Sequence, residues 1–281
     1  MRRQTWHRKL FEPEGTNLWV MDGLLLLILG AVGLASGLVM SLVGASAVMV
    51  IVPSLNVLLG YEIHTAIGVS LLVDVVASLA VGYTYWRNGN VDLSQGLWIA
   101  LGSVIGAQLG AFCTLSIPAG FLAVSYGLWM VSAGAAIWKK GLDRTAVVDR
   151  FARYVRFDST ARRVAVTLFL GFVIGVNCGI FGAGGGILIM MVLIFILDYP
   201  IHKAVGTSTI IMAVTAASAT TGYVMQGNVD AYASLVIVAG TVVGGMGGAR
   251  FANLASEEIL AKIVGGIFFA LGLVMTVLRL L

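Results

Sequence analysis

Apolar residues run through this chain in blocks of membrane-crossing length, and polar residues collect in the short gaps between them. The blocks fall at about 22–43, 44–60, 63–86, 94–116, 118–138, 164–182, 183–198, 201–225, 231–254 and 257–280. A helix needs about 20 apolar residues to cross the hydrocarbon of a bilayer. Main-chain N–H and C=O groups find no water partner there, so the blocks are predicted as helices or as parts of broken helices. The fold class expected is all-α: a polytopic transmembrane bundle with broken or re-entrant helices.

Composition strengthens this picture. Of 281 residues, 59% are hydrophobic and 11% charged, and the mean hydropathy is +0.99. Soluble domains average about 25% charged residues, so too few charges are present to cover a surface facing water. The net charge of +4 is unevenly placed. Arg2, Arg3, Arg8 and Lys9 lie in the N-terminal tail, and eight more Lys and Arg lie between Lys139 and Arg163, against three acids. Both stretches are therefore expected on the cytoplasmic side. Basic loops are routine in membrane proteins, so no nucleic-acid partner is expected. Cys113 and Cys178 fall inside apolar blocks and read as packing residues rather than a disulfide. No cleavage pattern follows the first block, which is expected to stay as a span of a multi-pass inner-membrane protein. Trp6, Trp19, Trp86 and Trp98 near block ends fit an interfacial belt, as do Tyr85 and Tyr223.

Shifting the sequence against itself by 138 residues aligns two halves. Tyr61, Ile63, His64, Ala66, Gly68 and Ser70 fall over Tyr199, Ile201, His202, Ala204, Gly206 and Ser208. Gly89-Asn90-Val91-Asp92 falls over Gly227-Asn228-Val229-Asp230, and 12 of the 32 positions from 61 to 92 are identical. Apolar composition would make Leu and Val coincide, but not His, Asn and Asp, so the chain reads as two tandem copies of one unit. The organisation expected is a tail over 1–21, a first repeat over 22–138, a basic linker over 139–163 and a second repeat over 164–281. An even number of crossings per repeat would make the copies parallel and keep both basic stretches on one side; five would invert them. Gly102, Gly106 and Gly110, like Gly240, Gly244 and Gly248, recur every four residues and predict close helix packing.

The candidate chemistry centres on Gly175 to Gly186. Five glycines between 179 and 186 oppose a stable helix, each costing about 1 kcal/mol against alanine. Irregular main chain at membrane depth survives only inside protein or beside a polar cavity, where free N–H groups can face a bound anion. Asn177, Gly182, Gly184, Gly185 and Gly186 are therefore candidate substrate contacts, with Gly44, Ala45 and Ser46 as their counterparts in the first half. Ser70, Thr207, Ser208 and Thr209 open apolar blocks, where hydroxyls cap helices or face substrate. Asp74 lies deep in an apolar block, where an ionised carboxylate is costly, and is a candidate proton carrier. His64 and His202 occupy equivalent positions and could titrate near neutrality. Arg250 could hold an anion, whereas Lys203 is expected to snorkel. No phosphate-binding loop, metal motif or nucleophile–base set is present, so no cofactor, metal site or catalytic residue is expected.

The Gly182-Ala-Gly184-Gly185-Gly186 run, then Ala204-x-Gly206-Thr207-Ser208 and Gly227-Asn228-Val229-Asp230, with a second copy in the other half, resembles the TauE/SafE family of sulfite exporters and related permeases. The resemblance covers about 24–280. It departs from the family pattern at Ser46 to Val48, and at Met191, where a proline is usual. It implies a secondary transporter of sulfite, a sulfonate or a related organic anion, bound between the repeats near the bilayer midplane. The partners expected are that anion and the lipid bilayer, with a homodimer left open. The rival expectations are a soft-metal permease using Met190, Met191 and Cys178, whose sulfurs suit such ions, and a non-catalytic helper subunit.

Overall fold

The computed structural model describes residues 18–43, 46–114, 116–140, 160–183, 185–252 and 257–280. They form ten helices, with no strand among the described residues. In chain order these are α1 (Leu18–Val43), α2 (Val48–Pro53, continued by a wider turn at Ser54–Leu58), α3 (Ile63–Arg87), α4 (Leu97–Thr114), α5 (Ala119–Lys140), α6 (Thr160–Phe181), α7 (Gly185–Phe195), α8 (Ile201–Met225), α9 (Ala231–Ala252) and α10 (Glu257–Leu280). Among the described residues, α1, α3, α4, α6 and α8 contain five segments long and apolar enough to cross a membrane, and the other helices contribute shorter apolar stretches.

The bundle is apolar on its outside. Leu27, Phe121, Phe169, Leu235 and Met246 are largely exposed, whereas Ser36, Asp74, Ser103, Thr114 and Thr215 are buried. A soluble protein rarely shows so much apolar surface; here lipid covers it. The chain is a multi-pass membrane protein.

Small residues set the helix pairs, because lipid supplies no hydrophobic drive between helices and close packing must hold them. Gly102, Gly106 and Gly110 lie against the main chain of α6 at Leu168, Phe172 and Val176. Gly33 and Gly37 of α1 meet α9 at Ile237 and Thr241, and Gly244 of α9 meets Leu34. Hydroxyls add to this, Ser36 of α1 to Thr241 of α9 at 3.0 Å along the same seam, and Ser103 of α4 to Thr215 of α8 at 2.7 Å.

Helix directions follow from these contacts. Advancing along α4 advances along α6, so the two are parallel, and the same is true of α1 and α9. In contrast α3 and α8 are antiparallel. Gly68 abuts the Asn228 carbonyl, Gly82 meets Ile210, and Gly206 abuts the Asn90 carbonyl. The Gly68–Asn228 contact recurs as Gly206–Asn90 after the shift of 138, with the roles of the halves exchanged. α5 and α10 are antiparallel too, Gly127 meeting Thr276 and Gly134 meeting Phe269. Helices that match under the shift thus run in opposite senses, the inverted alternative.

From α1 to α5 the chain changes direction at every helix, with the short α2 as a return leg. Leu18 and Lys140 consequently stand at opposite ends of the bundle. The basic segments themselves lie largely outside the described residues.

Two predictions follow from this packing. In a cysteine-free background, Asn88→Cys, where α3 finishes, and Gln226→Cys at the matched position where α8 finishes, should react with an impermeant maleimide from opposite sides of the membrane. Labelling of both from one side would refute the inverted arrangement. Gly106→Ala, which drives a methyl into the Phe172 carbonyl, should cost on the order of 1–3 kcal/mol, read as a lower melting temperature in detergent. Gly120→Ala, with open space around it, should not.

Candidate functional site

Two chain breaks lie where the short helices begin. At the first, Ser46 is non-helical and Ala47 turns into α2. Helix starts leave main-chain N–H groups without partners, and Asp74 of α3 answers them. Its Oδ1 accepts from the Ala47 N–H at 3.2 Å and its Oδ2 from the Ser46 hydroxyl at 2.6 Å. The Ser46 oxygen in turn accepts from the Val48 N–H at 3.3 Å. Asp74 is 1% exposed, and every residue from Val48 to Pro53 is buried. The Tyr126 hydroxyl donates to the Val48 carbonyl at 3.1 Å and fixes α2 to α5.

The second break separates α6 from α7. Gly182 sits at φ +71, a conformation open to glycine at little cost, and ends α6 with its N–H on the Cys178 carbonyl at 2.7 Å. The Asn177 amide donates to the Ala183 carbonyl at 3.2 Å, and the Tyr223 hydroxyl to the Gly179 carbonyl at 3.0 Å. The predicted interruption at 179–186 is thus present, and Gly182, Ala183 and Gly185 are buried. The two breaks are neighbours: a Cβ placed on Gly182 would lie 3.2 Å from Val48 and 3.5 Å from the Ser70 hydroxyl.

The breaks differ in charge. Position 212, which matches Asp74 after the shift of 138, is Met212. Its sulfur packs against Gly185 at the start of α7, beside Cys178. The start of α2 therefore carries a carboxylate of the protein's own, while the start of α7 faces a thioether.

The predicted residues divide accordingly. Ser46, Ser70, Asp74, Asn177, Gly182 and Gly185 gather at the breaks, with Gly186 just beyond in α7. Gly44, Ala45 and Gly184 lie outside the described residues, as do the side chains of His202 and Arg250. Ser70, Thr207, Ser208 and Thr209 do not cap helices as anticipated, because α3 and α8 begin earlier, at Ile63 and Ile201. Ser70, Ser208 and Thr209 donate back to the Ile67 and Val205 carbonyls. Thr207 accepts from the Asp92 N–H at 2.9 Å and locks the turn before α4. His64 stands at the start of α3, on the Thr114 carbonyl at 3.1 Å and near Glu62 at 3.4 Å. Ten residues of helix, roughly 15 Å, separate it from Asp74. Tyr223 is no belt residue: it is 0% exposed, and its hydroxyl seals the end of α6. Tyr126 was not legible as a site residue; a tyrosine mid-block among apolar neighbours carries no periodic signal.

The Asn-Val-Asp motif is structural. Asp230 Oδ1 accepts the Ala233 N–H at 3.0 Å and caps α9, while Tyr61 donates to Asp230 Oδ2 at 3.1 Å. The Ser94 hydroxyl and N–H, donated to Asp92, hold that carboxyl below its ordinary range, aided by the nearby Lys203 charge.

The family model for the sulfite exporter TauE/SafE matches residues 29–275. The chain belongs to the TauE/SafE family. Curated relatives agree with this. It is 29% identical to "Probable membrane transporter protein YdhB" of Bacillus subtilis over 229 residues, covering 81% of this chain and 91% of the relative. It is 27% identical to "Probable membrane transporter protein YunE" of the same organism over 263 residues, covering 87% and 95%. A "Probable membrane transporter protein" of Xylella fastidiosa is 26% identical over 259 residues, covering 89% and 94%. No solved structure matches. This TauE/SafE member is thus a membrane transporter.

Among the described residues no three His, Cys, Asp or Glu side chains gather as metal ligands. Asp74 brings a carboxylate to the first break. Asp74→Asn keeps an acceptor for one of the two donors and removes the titration. The variant should transport with a flat pH profile, measured in proteoliposomes; an unchanged profile would remove Asp74 from proton coupling.

Proposed function

We propose that this protein is a secondary transporter of a small sulfur-containing or organic oxyanion, such as sulfite or a sulfonate, bound between the two repeats near the bilayer midplane. The observation that carries the reading is the pair of sheltered helix breaks. A helix start concentrates free N–H groups and the positive end of the helix dipole, and burial in protein keeps lipid away from them. At α2 the demand for negative charge is met internally by Asp74. At α7 the matching residue is Met212, which brings no charge, so the second break is the better place for an anion from outside. Gly186 is the least covered described glycine there, a Cβ on it meeting Met212 only at 4.0 Å, so a ligand can come close to the main chain at that position.

Export fits the energetics. An inside-negative potential drives anions outward by about 2.3 kcal/mol per charge per 100 mV. Uptake of a dianion against it would need two or more cotransported cations, and Asp74 is the one acid placed within the spans near the breaks among the described residues. The soft-metal reading finds less support. Met190 packs with Ile189 and Leu193 in an apolar cluster, and among the described residues no cluster of three His, Cys, Asp or Glu joins the sulfurs of Cys178 and Met212.

Purified protein in proteoliposomes should exchange labelled sulfite saturably, with competition by sulfonates. Flux no greater than in protein-free liposomes for every sulfur and carboxylate anion tried would sink this function, and flux of copper in its place would move the assignment to metal transport.

A further inference from the structure

The structure assigns a second oxyanion-binding site to a cavity at the end of the bundle where α6 begins, separate from the helix breaks and centred on Arg163. The cavity has a volume of about 260 Å³, and Ser94, Gln95, Trp98, Arg163, Thr167 and Leu197 line it. That is room for a small oxyanion with several waters, each water occupying about 30 Å³.

Arg163 carries the argument. Its Nε is buried and has no hydrogen-bond partner, and among the described residues no carboxylate forms an ion pair with it. A buried charged donor left unsatisfied is costly, so such a group marks a place that a ligand completes. A guanidinium presents a planar fork of donors matched to an oxyanion. The other polar groups leave the cavity receptive. No hydrogen bond engages the Gln95 amide among the described residues, and the Thr167 hydroxyl turns back onto the Arg163 and Val164 carbonyls. Of the two carboxylates beside the lining in sequence, Asp198 follows Leu197 and is exposed, and Asp92 is already answered by the Ser94 N–H and hydroxyl at 3.0 and 2.6 Å and by the charge of Lys203.

The opposite end of the bundle supplies an independent comparison. After the shift of 138, Arg163, Thr167 and Leu197 correspond to Leu25, Leu29 and Leu59, and Gln95 and Trp98 to Ala233 and Val236. Those five residues pack into the main apolar core. The fold closes this corner with hydrocarbon at one end, so the arginine and its polar neighbours at the other are not a requirement of packing. The ligand class rests on the proposed transport of oxyanions; the existence of the site does not. The lining lies where α4 and α6 begin, at the end of the bundle where α3 and α5 finish.

The test uses the full-length protein in nanodiscs of zwitterionic lipid, titrated with sulfite and with methanesulfonate against chloride at matched ionic strength. Tryptophan fluorescence should change saturably, and Trp98→Phe should abolish the change. Arg163→Leu installs the residue that the opposite corner already accommodates, so it should fold with unchanged melting temperature yet weaken binding at least tenfold. Asp74→Asn should leave this binding intact. A Trp98 signal that is absent, or that persists in Arg163→Leu, would overturn the site. A signal that follows the content of phosphatidylglycerol and ignores added anions would also overturn it, showing a lipid headgroup instead. Anion binding here in a protein that moves no sulfite would uphold the site while defeating the transport reading, so the two failures are distinguishable.

Discussion

Main-chain polar groups cannot go unanswered inside a membrane, and the architecture depends on how this chain answers them at its two breaks. An uninterrupted helix satisfies its own amides; α1–α2 and α6–α7 do not, because each helix stops and the chain folds back within the bundle. The cost is contained by specific neighbours. Asp74 and Ser46 take up donors at the start of α2, Tyr126 reaches the Val48 carbonyl, and Tyr223 and Asn177 meet carbonyls at the end of α6. Three of these groups come from α3, α5 and α8, so the long helices exist in part to make the short ones tolerable. The glycine seams follow from the same need, since only close approach of main chains brings those side chains within reach.

Contacts that recur across the shift of 138 give the scaffold a near-symmetry, and the chemistry departs from it. Gly68 on Asn228 and Gly206 on Asn90 are one contact made twice. Asp74 against Met212, and Arg163 against Leu25, are places where matched positions hold residues of opposite character. Packing needs matched shapes and tolerates little variation. Binding and coupling need charge at one place and not at its mate. Residues at which the halves disagree in charge while agreeing in backbone are therefore the better guide to function than the shared motifs, which here turn out to hold turns and caps.

The helices themselves were largely legible in the sequence, because lipid imposes long apolar runs and glycine and polar gaps end them; the ten predicted blocks and the ten helices nearly coincide. The break at 182–184 was legible for the same reason, five glycines being poor helix formers. Direction was not. Whether α2 crosses or turns back depends on tertiary contacts, which neither charge counts nor apolar runs carry. The hydroxyls misled for a related reason: apolar runs hide the true start of α3 and α8 a turn or two before Ser70 and Ser208, so groups that looked like caps bond back along their own helices. Tyr126 and Tyr223 escaped notice because a buried tyrosine and an interfacial one look alike in sequence, and only a carbonyl within reach tells them apart.

A buried carboxylate at one break and a neutral thioether at the other also bear on how transport could be driven. A ligand shifts a conformational equilibrium only by its differential affinity for the two states. An anion entering near α7 and the carboxylate at α2 share one low-dielectric interior, since Gly182 lies beside Val48. On the proposed reading, charges of like sign there would repel more strongly than in water, so an arriving anion would favour release of Asp74's hold on Ala47 and Ser46. That release would loosen the start of α2, which is tied to α5 through Tyr126. On that reading, the contact that makes the break tolerable at rest would also be the element through which cargo is felt by the opposite half.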